Sequence, residues 1–274
     1  MLSRLKTVFQ NRRLSKFEKI KSVTSGYLSP EVYSAIYECA CSAREGYMID
    51  IGPAQGGSSI SLCLGIQDSK KKQSKVFSIE KGRGSSALVN RTDMHENFSI
   101  LQHNILEFGL SNYSTILMGD VSDVHTQINT DMPLSLIFID ADGALDRDFN
   151  LFYNRLKPNA PIIIDDYVDE INRLAREKYL LWKTRDELDA YLSGKDAQHF
   201  YQVCPLGKEY TTYRFINYFI DQGLMVQDKI IDNTFFGHKS SGGLSFVQEH
   251  LAACHQIRLQ IERNYYELNP ILRP

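Results

Sequence analysis

The sequence predicts an α/β fold, a doubly wound and mainly parallel sheet with helices on both faces. Strand-like and helix-like segments alternate from Tyr47 to Asp166, the rhythm of strands crossing over through helices. Two apolar runs, Leu134–Ile139 and Pro161–Ile164, look like buried strands, and each runs straight into acid: Asp140-Ala141-Asp142 and Asp165-Asp166-Tyr167. A third segment, Met48 to Ser59, reads as a strand, a glycine turn and a helix start.

The strand candidates are Tyr47–Ile51, Lys75–Glu80, Ser114–Gly119, Leu134–Asp140 and Pro161–Asp165. Helical candidates lie between them at Ser58–Gly65, Ala87–Phe108, Val121–Asn129 and Arg147–Leu156. Right-handed crossovers fix the winding. Upstream, Ser29-Pro30 starts a helix through about Ala43, with proline at its first position. Downstream, residues 168–210 leave the rhythm, holding Tyr179, Trp182, Tyr191, Phe200 and Tyr201 among many charges. An insertion of that length reads as a lid. Thr211–Gln222 is a helix closed by Gly223. Leu224–Ile231 and Thr234–Lys239 flank Asp232-Asn233 as an antiparallel hairpin. Leu244–Leu268 is a long amphipathic helix that packs on the domain or on a second subunit. The division expected is a helical arm and cap at 1–45, the main domain at 46–240 and a C-terminal helix at 241–274.

Composition narrows the function classes. The chain has 274 residues, 43% hydrophobic and 23% charged, as in ordinary globular proteins. A net charge of −2 gives no global pull toward nucleic acid or an anionic membrane. No apolar run of about 18 residues marks a membrane span. The basic N-terminus, with Arg4, Lys6, Arg12, Arg13, Lys16, Lys19 and Lys21, lacks a secretory core and reads as a solvated helix or oligomer arm, with a transit peptide as the competing reading. The five cysteines, Cys39, Cys41, Cys63, Cys204 and Cys254, have no paired spacing, which argues against zinc and for reduced thiols in a cytoplasmic protein. His95, His103, His125, His199, His250 and His255 have no ligand-like spacing either.

The turn after the first strand is Asp50-Ile-Gly52-Pro-Ala-Gln-Gly56-Gly57-Ser58-Ser59. Gly52 and Gly56 permit positive φ and close approach of a ligand, and Ser58 and Ser59 are candidate helix caps. The spacing is neither the dinucleotide pattern nor a phosphate loop. Asp50 would repel a pyrophosphate and attract a cationic amino group. Glu80, ending the second strand, suits ribose hydroxyls, as an acid does in nucleoside-binding α/β folds. Gly119-Asp120 ends the third strand, where Asp120 either accepts from an adenine amino group or caps the next helix. Asp140, Asp165 and Asp166 fall at neighbouring strand ends. Carboxylates that close repel unless neutralised, and a hard divalent cation is the usual solution.

These residues resemble the class I S-adenosylmethionine-dependent methyltransferases. Asp50-x-Gly52-x-x-x-Gly56-x-Ser58, Glu80, Gly119-Asp120 and the Asp140 strand fall in that family's order. Within it the chain looks most like the magnesium-dependent small-molecule O-methyltransferases, the catechol, caffeoyl-CoA and macrolide sugar enzymes. Leu156-Lys-Pro-Asn-Ala-Pro-Ile-Ile-Ile-Asp-Asp-Tyr167 is close to that group's fifth-strand phrase, with Asn159-Ala160 replacing its glycines. The resemblance implies a Rossmann-like seven-stranded sheet whose last hairpin is antiparallel. It implies S-adenosylmethionine on Asp50, Gly52, Gly56, Ser58, Glu80, Gly119, Asp120 and Asp140, and Mg2+ or another divalent cation on Asp140, Asp165 and Asp166. Relatives often carry His or Lys shortly after the fourth-strand acid, where this chain has Gly143. A base would then come from Asp142, His238 or the insertion, with Asp140 catalytic through the metal. The expected activity is O-methylation of a hydroxyl on a sugar, catechol or natural product by a homo-oligomer. The alternatives are a metal-free methyltransferase acting on another nucleophile and a non-catalytic cofactor-binding protein.

Overall fold

The computed structural model describes residues 14–81, 96–129, 132–168 and 208–268. Its strands are β1 (Tyr47–Ile51), β2 (Lys75–Glu80), β3 (Ser114–Met118), β4 (Leu134–Ile139), β5 (Pro161–Ile164), β6 (Met225–Ile231) and β7 (Thr234–Lys239). They form one seven-stranded sheet in the order β3-β2-β1-β4-β5-β7-β6. The first five are mutually parallel, and β7 runs antiparallel to both β5 and β6. This is the Rossmann-like sheet expected, including its antiparallel last hairpin.

The helices are α1 (residues 14–23), α2 (Pro30–Ser42), α3 (Gly57–Asp68), α4 (Glu96–Glu107), α5 (Val121–Val124), α6 (Leu145–Phe152), α7 (Lys208–Asp221) and α8 (Gln248–Leu268). Alternate strand residues feed two cores, following the two-residue period of a strand. Ile49, Ile51, Ile137, Ile139, Ile162 and Ile164 pack with Phe149 and Phe152 of α6, Phe215 and Phe219 of α7, and Phe246. Met48, Leu136, Phe138 and Ile163 pack on the other face with Ile36 of α2, Ile60 and Leu64 of α3, and Leu101 of α4. Each such side chain stabilises the fold by roughly 1.5–3 kcal/mol on burial. The sheet lies beneath α3 and α2 lies against it, so every residue of α3 from Gly57 to Ile66 is buried.

Several boundaries differ from expectation. β3, β4 and β5 each stop one residue early, although the amides of Gly119, Asp140 and Asp165 still donate to the carbonyls of Glu80, Ile51 and Ile139. α6 begins two residues early, and a 3-10 turn, Tyr153–Arg155, replaces its last stretch. The C-terminal helix begins at Gln248 rather than Leu244. The residues before it are held open because Asn154 brackets Phe246, donating to its carbonyl at 2.9 Å and accepting from its amide at 2.8 Å. α8 packs on its own domain: Cys254 and Ile261 are buried, and Arg258 reaches Asp146 at 2.6 Å and covers the Phe215 ring at 4.8 Å. The expected lid at 168–210, apart from Val168 and the start of α7, and the basic residues before Leu14 lie outside the described residues, as does the expected helical start at 87–95. Among the described residues no helix is long and apolar enough to cross a membrane.

Candidate active site

The C-terminal ends of β1 to β5 meet one edge of the sheet because those strands are parallel. β1 has β2 on one side and β4 on the other, so the winding reverses there, which is where open α/β sheets bind their ligands. Ile51 is in register with Ile139, and Ile139 with Ile164. Gly52, Asp140 and Asp165, one residue on from each, therefore stand side by side.

The glycine turn is built by contact with β4. Gly52 has φ +81°, and a Cβ there would fall 2.0 Å from the Asp140 carbonyl oxygen, so only glycine lets the two strand exits touch. Gly56, at φ +104°, is the N-cap residue of α3 and contributes no side-chain cap. The expectation that Ser58 and Ser59 cap this helix is corrected. Both hydroxyls donate to Asp50 Oδ2, at 2.8 and 2.5 Å, because a buried carboxylate is the stronger acceptor. Glu80 accepts from the Ala54 amide at 2.9 Å, and Asn104 of α4 donates to the Gln55 carbonyl at 2.8 Å. The loop is thus pinned from β2 and from α4.

Asp50 is fully buried, and its Oδ1 has no hydrogen-bond partner. Burial pushes its carboxyl up to about 7 against the opposing bonds of Ser59 and Ser58, with Asp140 and Glu80 adding repulsion. An ionised Asp50 therefore calls for a cationic donor. The ribose candidate Glu80 is also buried at its strand end. Asp120 caps α5, accepting from the Ser122 amide at 3.0 Å, and pairs with Lys81 at 2.5 Å. Those two donors hold its carboxyl down at about 2. Of the two roles weighed for Asp120, the cap is the one its Oδ1 fills.

Asp140, Asp165 and Asp166 converge: one carboxylate oxygen from each lies within 4.8 Å of the others. All three are partly buried. Asp166 has φ +60°, a conformation rare outside glycine and often found at functional positions. An all-oxygen, three-carboxylate donor set suits a hard divalent cation rather than zinc or copper. The three carboxylates expected from sequence to be neighbours do converge among the described residues.

The two base candidates are not gathered in the same way. Asp142 accepts both terminal nitrogens of Arg147, at 2.9 and 3.0 Å. Burial works to raise its pKa, but the bonds and charge of Arg147 outweigh this and hold it below the usual range, which weakens it as a base. His238 pairs in register with Pro161, the first residue of β5. It stands at the opposite end of that strand from Asp165, with its Nδ1 3.0 Å from the Asp228 carboxylate.

Sequence reasoning missed three contributors. Tyr33 of α2 has its hydroxyl against Gly57, where a Cβ would fall only 2.4 Å away. Burial pushes its pKa to about 12, with the charges of Asp140, Asp50 and Asp165 adding. Asn104 holds the glycine loop, and Thr234 donates to Asp165 Oδ1 at 2.6 Å. The first two lie on helices whose periodicity shows burial but not what is touched. Thr234 was available as the first residue after the hairpin turn.

Residues 49–167 match the family model described as a methyltransferase domain. No curated protein matches the sequence significantly. A Staphylococcus aureus structure described as a candidate caffeoyl-CoA O-methyltransferase is 15% identical, with TM-score 0.55, over 87% of this chain and 98% of that one. The O-methyltransferase TomG from Streptomyces achromogenes, solved with S-adenosylmethionine, is 14% identical, with TM-score 0.52, over 83% and 89%. An O-methyltransferase from Bacillus cereus, solved with S-adenosylhomocysteine, is 18% identical, with TM-score 0.50, over 82% and 91%.

Proposed function

We propose that this chain, whose residues 49–167 match a methyltransferase-domain model, transfers a methyl group from S-adenosylmethionine to a hydroxyl of a small molecule with the help of a divalent cation. The observation that carries the reading is the convergence of Asp140, Asp165 and Asp166 within 4.8 Å, beside a glycine loop above a buried acid, Asp50, whose Oδ1 has no hydrogen-bond partner. In this reading Asp50, Gly52 and Gly56 receive the amino acid end of the cofactor, and Glu80 receives the ribose. Ser58 acts through Asp50, while Gly119 and Asp120 border the adenine side. Asp140, Asp165 and Asp166 hold the cation.

The cofactor supplies an electrophilic methyl on a sulfonium, and the cation, when bound, lowers the pKa of the acceptor hydroxyl and steadies the developing oxyanion. The protein's own part is mainly alignment, since in-line attack demands close positioning. Backbone contact between Gly52 and Asp140 joins the cofactor loop to the metal acid, so the two halves of the site are built as one. Asp142, clamped by Arg147, and His238, at the far end of β5, are given no proton-transfer role.

The test is calorimetric titration of the full chain with Mg2+, in the wild type and in Asp165→Ala/Asp166→Ala. Binding is expected in the wild type and lost in the double variant. Unchanged binding in the variant removes the metal assignment. Methyl transfer that survives EDTA across a panel of hydroxyl acceptors favours a metal-free enzyme instead.

A further inference from the structure

We propose that Thr234 is a positioning residue for the cation site, setting the rotation of the Asp165 carboxylate; the inference rests on the metal reading above. β7 runs against β5, so the hairpin turn Asp232-Asn233 lies at the same sheet edge as the acids. Ile164 pairs with Phe235, which places Thr234 beside Asp165. Thr234 is 1% exposed, and its hydroxyl donates to Asp165 Oδ1 at 2.6 Å. A carboxylate is free to turn about its last bond, and one short hydrogen bond removes that freedom.

Two more contacts make the hairpin tip a support for the whole acidic turn. The Tyr167 amide donates to the Asn233 carbonyl at 2.7 Å. The Tyr167 ring packs on Phe235 with centroids 5.5 Å apart. Asp166, at its unfavourable φ of +60°, thus lies between two residues anchored to the same hairpin. Strained backbone of this kind persists only where its surroundings over-determine it. Residues that hold metal-binding side chains in place commonly change metal affinity by about 10- to 100-fold when removed.

The experiment measures Mn2+ binding to the full chain by electron paramagnetic resonance in the absence of cofactor. It compares the wild type, Thr234→Val, Thr234→Ser and Asp165→Ala/Asp166→Ala, with thermal unfolding of each as a check on folding. Thr234→Val keeps the shape without the hydroxyl and is expected to raise the Mn2+ Kd by about 10- to 100-fold. Thr234→Ser restores the donor and is expected to bind within about threefold of the wild type. If Thr234→Val does not fold, Thr234→Ala is read in the same way. Wild-type affinity in Thr234→Val, with binding lost in the double aspartate variant, overturns the role of Thr234 and leaves the site standing. Mn2+ binding that survives in the double variant, or is missing from the wild type, overturns both.

Discussion

Replacing Asp50 with asparagine probes the charge balance of the crevice directly. The Asp50 carboxyl is fully buried, and burial lifts it to about 7. The unfolded chain ionises it near 4. Between those values the folded state binds the extra proton, so stability falls as pH rises through the interval and levels off above it. At about 1.4 kcal/mol per unit, the raised pKa of Asp50 costs the ligand-free protein about 4 kcal/mol at about pH 8 and about 1.5 kcal/mol at about pH 5. Asp50→Asn cannot ionise, so its stability relative to the wild type should rise by about 2–3 kcal/mol between those conditions. The asparagine oxygen can still accept from Ser58 and Ser59. Any cost of placing its NH2 where Oδ1 lacks a partner is independent of pH and cancels in the comparison. Urea unfolding followed by circular dichroism, without metal or cofactor, measures the difference. Adding S-adenosylhomocysteine should reduce the wild-type slope, because the ammonium assigned to Asp50 favours its charged form. Parallel pH profiles for wild type and variant would refute the reasoning.

Three other outcomes follow from the same geometry. Asn104→Leu frees the Gln55 carbonyl; it should cost about 1 kcal/mol of stability and weaken S-adenosylhomocysteine binding by isothermal titration. Arg147→Met leaves Asp148 buried without its 2.8 Å partner and should destabilise by about 3 kcal/mol at about pH 8. Burial has already pushed Asp148 up to about 6, so the loss should shrink toward pH 5, and Arg147→Met/Asp148→Asn should recover most of it in the same urea assay. Gly52→Ala drives a Cβ to 2.0 Å from the Asp140 carbonyl oxygen and should abolish S-adenosylhomocysteine binding. Gly109→Ala, also at positive φ but facing open space, should cost only about 1 kcal/mol and bind normally.

What was legible in the sequence was what burial dictates locally. Parallel strands covered on both faces must be apolar throughout, so Leu134–Ile139 and Pro161–Ile164 announced themselves, and the acids after them marked the open edge. The glycine turn was readable because Gly52 answers a backbone contact that other residues cannot make. Ser58 and Ser59 suited the cap pattern, but the pattern carries no record that Asp50 lies beneath them with stronger acceptor oxygens. His238 shows a different gap. It follows Phe235-Phe236-Gly237 closely enough to suggest the site, yet an antiparallel strand that begins beside Asp165 carries its last residues away from it. Strand direction gives Thr234 that place, and His238 faces Asp228 instead.

The same edge can be read as a problem in charge. Asp50, Glu80, Asp120, Asp140, Asp165 and Asp166 all gather at neighbouring strand ends. At the margins of this cluster Lys81 holds Asp120, and Arg147 holds Asp142 beyond the Asp140 strand. Toward the centre stand neutral donors, with serine hydroxyls on Asp50, a backbone amide on Glu80 and a threonine hydroxyl on Asp165. Neutral donors orient a carboxylate without cancelling its charge, so these bonds leave its negative field in place in surroundings that screen weakly. Such a field disfavours a pyrophosphate and favours positive ligands. A sulfonium, an ammonium and a divalent metal ion all carry that sign, and the proposed reaction brings all three together. The acids at this edge are thus matched in sign to the ligands of the proposed chemistry.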